Sequence, residues 1–164
     1  MSLWPLSALL FINVSLAAVT PEMRFKDGVK VDTKETSKLV SLMPAAQLSL
    51  DKHSSLKVLP DAALLSKGTL RLKVTKAKTS QKVEGDGIEF STKDAEFEVS
   101  AEGDHYDLAV VSGTVQVSSP YVQTFVPETV KANEGFRFNK KEKSFSRKPF
   151  MIKFSGHPGF AQKK

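Results

Sequence analysis

The stretch DLAVVSGTVQVSS, Asp107 to Ser119, limits what this chain can become more than any other feature. Apolar residues fall at Leu108, Val110, Val115 and Val117, in two alternating pairs with Ser112-Gly113 between them. Alternation with period two puts one set of side chains on each face of a strand, so one face is buried and the other wet. Gly113 is expected to let the backbone take a positive φ, or approach a neighbouring strand closely, while both apolar pairs stay on the core side.

The same rhythm recurs almost to the end. Val29 and Val31 follow Asp27-Gly28; Leu48 and Leu50, then Leu56 and Val58, flank the polar break Asp51–Ser54. Leu70, Leu72 and Val74 follow Lys67-Gly68, Ile88 and Phe90 follow Gly85-Asp86-Gly87, and Phe97 and Val99 follow Lys93-Asp94. Further runs are Tyr121–Val126, Phe136 with Phe138, and a closing PFMIKF, Phe150, Ile152 and Phe154. Short strands separated by Gly, Asp-Gly, Ser or Pro make an all-β domain. No window holds a sustained helical stripe; the best helical candidate is Pro60–Lys67, PDAALLSK, of one or two turns.

A chain of 164 residues suits about one domain with a real core. It has no cysteine, which excludes disulfides, thiolate metal sites and a cysteine nucleophile. The net charge of +6 is uneven. Lys131–Lys164 holds ten bases against two acids, whereas the first 130 residues are slightly acidic. The basic end is thus either a solvated charged tail or a surface for anionic lipid or polysaccharide. In the second case Lys140, Lys141, Lys143, Arg147 and Lys148 are the candidate contacts.

Residues 1–18 read as a cleaved signal peptide: an apolar run from Leu6 runs into the small pair Ala17-Ala18, and it is too short to span a bilayer. No Lys or Arg precedes that run, so the start is atypical or lies further upstream. The mature chain is expected to begin extended at Pro21 and to reside in the periplasm.

Chemistry is sparse. His53, His105 and His157 lie far apart, with no motif of metal, nucleophilic or phosphate-binding type around them. EGDHYD, Glu102–Asp107, reads as a polar hairpin loop rather than a metal site, and EGDG, Glu84–Gly87, as a tight turn. Glu96 and Glu98 share the face expected to be solvated, where nothing would raise a carboxyl pKa. The expectation is a non-enzymatic protein without cofactor or metal. The basic, phenylalanine-bearing tail reads as one closing strand and a basic end rather than a nucleic-acid site.

The order of these elements resembles the FecR-type domain, the periplasmic part of bacterial cell-surface signalling regulators. PEMRFKDGVKVDTKETSKLVSL resembles its opening run, and LLSKGTLRLKV its leucine-glycine-strand element. DLAVVSGTVQVSS resembles its valine-glycine-valine hairpin, and VKANEGFRF its closing turn. GIEFSTKDAEFEVS resembles a further segment but departs from it: Lys93-Asp94-Ala95 stands where the family has Gly-Thr. The likeness covers Arg24–Asn139, leaving 140–164 as a basic strand and tail.

That resemblance implies short stacked strands in a β-solenoid or roll; the alternation itself fits a sandwich or barrel equally. Family members add a cytoplasmic anti-sigma segment and a membrane helix, and their β-domain meets an outer-membrane TonB-dependent receptor. Neither addition is read in this sequence, so the expectation is the sensory or binding half alone. It would be an exported module making protein–protein contacts through an exposed strand edge, with an envelope protein such as an outer-membrane receptor as partner.

Overall fold

The computed structural model describes residues 21–119 and 126–156. The expected signal peptide and nearly all of the Tyr121–Val126 run therefore lie outside the described residues; Val126 itself is exposed. A four-residue helical turn, Pro21–Arg24, replaces the extended start expected there. Everything regular after it is strand: β1 (Val29–Asp32), β2 (Lys38–Val40), β3 (Ala46–Leu50), β4 (Ser55–Val58), β5 (Ala62–Val74), β6 (Gln81–Gly85), β7 (Ile88–Thr92), β8 (Ala95–Glu102), β9 (His105–Ser118), β10 (Glu128–Lys131), β11 (Gly135–Asn139) and β12 (Ser144–Lys148). No helix among the described residues is long and apolar enough to cross a membrane.

The all-β expectation is met, and the pairing gives it form. One sheet holds β1, β4, the first half of β5, β6, β7, the second half of β9, and β10. The other holds β2, β3, the second half of β5, β8, the first half of β9, β11 and β12. Because β5 and β9 run through both sheets, the pairings β5–β6–β7–β9–β8–β5 close on themselves. The short strands are thus rolled into a five-stranded barrel with flanking strands. Only β5 and β6 pair in parallel among the described strands.

Both long strands solve one problem in the same way. In β5 the buried residues include Ala63 and Leu65, then Leu70 and Leu72; in β9 they include Leu108 and Val110, then Val115 and Val117. The interval from Leu65 to Leu70, or from Val110 to Val115, is odd, so an unbroken alternation would throw the second pair out of the core. A bulge absorbs the extra residue. Leu56 pairs with Leu65 but Ser55 with Lys67, which skips Ser66; Phe97 pairs with Val110 but Glu96 with Ser112, which skips Val111. Two residues past each bulge stands a glycine with positive φ, Gly68 at +88° and Gly113 at +73°. A Cβ on Gly68 would strike the side chain of Ser54, and one on Gly113 the carbonyl oxygen of Asp94. The residues around Gly113 therefore form one continuous bent strand rather than the expected hairpin.

The bend keeps every inward side chain packed. Phe90, Phe97, Val110, Val115, Val117 and Phe136 are fully buried, each worth about 1.5–3 kcal/mol relative to exposure. Three sequence expectations give way to this packing. PDAALLSK is not helical but opens β5, held between β4 and β6, and a buried apolar run of that length fits a strand flanked on both sides. PFMIKF forms no strand: β12 takes the preceding SFSRK, while Phe150 and Ile152 are exposed and only Phe154 is buried. Val29 lies half-exposed on its edge strand, although Val31 beside it is buried.

Substituting Gly113 by Ala adds left-handed strain to overpacking and is expected to cost about 2–5 kcal/mol in urea unfolding. Gly103 also has a positive φ, but a Cβ there meets nothing within 4 Å. Gly103→Ala is expected to cost only about 1–2 kcal/mol. Equal losses at the two positions would contradict the role assigned to the close approach at Gly113.

Candidate functional site

The outer face of the sheet that contains β8 carries polar side chains, as the alternation requires. It is nevertheless not wet. Ser49, Asp51, Thr69, Glu98 and Ser100 are all nearly inaccessible. Residues 149–156, past the end of β12, cross this face as an extended strap. The Glu98 carboxylate accepts the backbone N–H groups of Lys153 at 2.5 Å and Phe154 at 3.2 Å. Asp51 accepts the N–H of Ser155 at 2.7 Å and its hydroxyl at 3.0 Å. The side chain of Lys153 reaches Asp107 at 2.7 Å and Glu102 at 3.1 Å. A strap with no sheet partner among the described residues is thus held by four acids.

Electrostatics at these acids differ. Asp107 accepts Arg137 through two hydrogen bonds of 2.6 and 2.8 Å, and Lys148 at 3.2 Å. Burial opposes its ionisation, but Arg137, Lys153 and Lys148 outweigh that and hold the carboxyl well below the usual aspartate range. Glu98 goes the other way: burial pushes its carboxyl up, against the pull of the two strap N–H groups and of Arg71. Its Oε2 is buried with no hydrogen-bond partner. The expectation of a solvated, unshielded Glu98 is therefore corrected. Its face does point outward, but the strap covers it, and the β8 pattern carries no trace of a cover supplied by residues 149–156. Glu96, on the same face, pairs with Arg71 at 2.9 Å.

Among the described residues β1 and β2 are edge strands, each paired on one side only, β1 with β4 and β2 with β3. Between them lies an open groove of about 640 Å³, lined by 29–32 and 38–42. Val31 and Val40 are buried, while Val29, Leu39 and Leu42 are 52%, 50% and 38% exposed. Edge strands with free backbone groups and exposed apolar side chains are templates for an added strand.

The five candidate anion contacts lie on and around the β11–β12 hairpin, and four have partners within the chain. Lys140 sits over the Tyr106 ring and bonds the Gly103 carbonyl, Lys141 pairs with Asp104, Arg147 with Glu128 and Glu134, and Lys148 with Asp107. Lys143 occupies the hairpin turn with positive φ.

The other residues singled out in the sequence are placed as turns. EGDG and EGDHYD become two-residue hairpins, Asp86-Gly87 and Gly103-Asp104. His53 faces Glu35 at 3.7 Å, His105 opens β9, and His157 lies outside the described residues. No group of three potential metal ligands occurs among the described residues.

No protein-family model and no curated protein matches this sequence. Two crystal structures, at 1.65 and 2.50 Å, of a "putative anti-sigma factor" from Parabacteroides distasonis ATCC 8503 share the fold. Their TM-scores are 0.63 and 0.62, at 16% and 17% identity over 74% of this chain. The match spans 60% of the length of that protein.

Asp107→Asn leaves three cations gathered without their acid and is expected to cost about 3 kcal/mol at neutral pH. A depressed pKa stabilises the fold above the unfolded value of 3.8, so this cost should shrink as pH falls below it, in urea titrations at several pH values. Glu98 has the opposite sign. Its raised pKa makes the folded chain bind more protons, so stability declines as pH rises from 4.5 through the folded value. Glu98→Gln, which keeps an oxygen for the strap amides, should remove that decline; an unchanged pH profile would count against a buried, charged Glu98.

Proposed function

We propose that this chain is an exported, non-catalytic binding module of a FecR-like signalling system, acting in the periplasm by protein–protein contact. The observation that carries this reading is the groove between β1 and β2, where two one-sided edge strands leave backbone groups and exposed Val29, Leu39 and Leu42 for an incoming strand. The shared fold with the Parabacteroides protein and the FecR-like order of motifs support it. The partner expected is an envelope protein such as the periplasmic part of an outer-membrane receptor. The alternative, binding of anionic glycolipid or polysaccharide by Lys140, Lys141, Lys143, Arg147 and Lys148, is the weaker reading. Four of the five already serve acids, a carbonyl or a ring of the same chain.

Leu39→Asp and Leu42→Asp place charges on exposed groove positions and should leave thermal unfolding within a few degrees of wild type. With the full chain as bait in envelope extracts, wild type should retain a defined protein that both variants lose. Retention of nothing above background, or equal retention by all three, would refute strand addition at this edge.

A further inference from the structure

Both strap amides at Glu98 go to the same oxygen. Oε1 accepts the N–H of Lys153 at 2.5 Å and that of Phe154 at 3.2 Å, while Oε2 is buried without a hydrogen-bond partner among the described residues. A carboxylate spreads its charge over two oxygens, and each needs a partner once water is removed. A protonated carboxyl can give its carbonyl oxygen to both amides and leaves no charge on the other oxygen. Closing the strap therefore suits the acid form of Glu98 better than the carboxylate.

The cations around this carboxyl are engaged elsewhere. Arg71, opposite Glu98 on β5, donates to Glu96 at 3.0 and 2.9 Å, and Lys73 faces Glu96 as well. Lys153 gives its ammonium group to Asp107 on β9 and to Glu102 at the end of β8. Arg137 on β11 and Lys148 on β12 serve Asp107 too. Asp51, which holds the next strap residue, Ser155, adds a like charge that disfavours ionisation of Glu98.

The strap can also move without the barrel. Residues 149–156 join no strand, and the hydrogen bonds of residues 153–155 described above all go to acid side chains. Only Phe154 among residues 149–156 is buried. A segment held by so few contacts belongs to the low end of local stability.

We propose that the strap is a proton-operated latch: it closes over a protonated Glu98 and loosens when that carboxyl ionises, uncovering Ser49, Asp51, Thr69 and Ser100 while the barrel stays shut. Burial raises the Glu98 carboxyl above its usual range, and opening returns it to water, so closure takes up a proton. That contribution is complete below the ordinary value of 4.5 and fades as pH rises through the closed-state value. Asp107 has the opposite sign: its three cations keep it charged over this range, so its hold on Lys153 persists. The latch does not depend on strand addition at the β1–β2 edge.

Hydrogen exchange of the full chain reads the latch directly, followed amide by amide between about pH 4.5 and 8 and divided by the intrinsic rate at each pH. Protection of the Lys153, Phe154 and Ser155 amides should fall by up to about tenfold per pH unit above 4.5, then level off once Glu98 is charged even when covered. Amides in the β5–β8 ladder should stay at least about a hundredfold more protected throughout. Glu98→Gln keeps an oxygen for both amides but cannot ionise, and its strap protection should be flat. The Glu98 carboxyl carbon resonance of the wild type should titrate over the range in which strap protection falls. Flat wild-type protection, protection equal to that of the ladder, the same fall in Glu98→Gln, or a Glu98 titration outside that range would each overturn the proposal.

Discussion

The barrel depends on carrying an inward-facing row of side chains around a corner. A strand that bends from one sheet into another must change direction while every second residue keeps facing the same core. β5 and β9 meet this with a one-residue bulge and a glycine two residues later, Ser66 with Gly68 and Val111 with Gly113. The chain repeats the device without repeating the sequence: LLSKGTLRL and VVSGTVQV share the glycine, the threonine after it and the odd apolar interval. Were either bulge absent, half of a long strand would turn its leucines or valines to water, and the five-membered ring would not close.

The alternation made the strands legible. Where polar and apolar residues trade places every second position, as in TLRLKV, AEFEV or GFRF, every apolar residue is buried, with only the polar Thr69 and Glu98 buried beside them. What stayed hidden followed from contacts that leave no period. Ala62, Ala63 and Leu65 are buried and Leu64 is half-buried, so the pattern collapses into an apolar run that reads as helix. Phe150 and Ile152 alternate as a strand would, but no strand among the described residues pairs with them, and SFSRK, which looks like basic tail, takes the edge of β11 instead.

The strap was the least legible part, and it governs the candidate site. Glu98 occupies an outward position on β8, and a sequence gives no means to know that residues more than fifty positions later will cover it. The same crossing gives part of the basic end acidic partners within the chain. Lys148 and Lys153 spend their charge on Asp107 and Glu102, acids of the slightly negative body of the protein. Charge asymmetry along the sequence became charge neutralisation across the fold.

The sharing of β5 and β9 between the two sheets has a consequence for how the molecule comes apart. Neither sheet owns a complete set of strands, so neither can peel away while the other persists; tearing one half of β9 free unseats the other half as well. Partial openings should be confined to the margins, such as β1, β2 and the strap, and the rest should melt in a single all-or-none transition. A protein built this way can trade partners at its rim without loosening its centre.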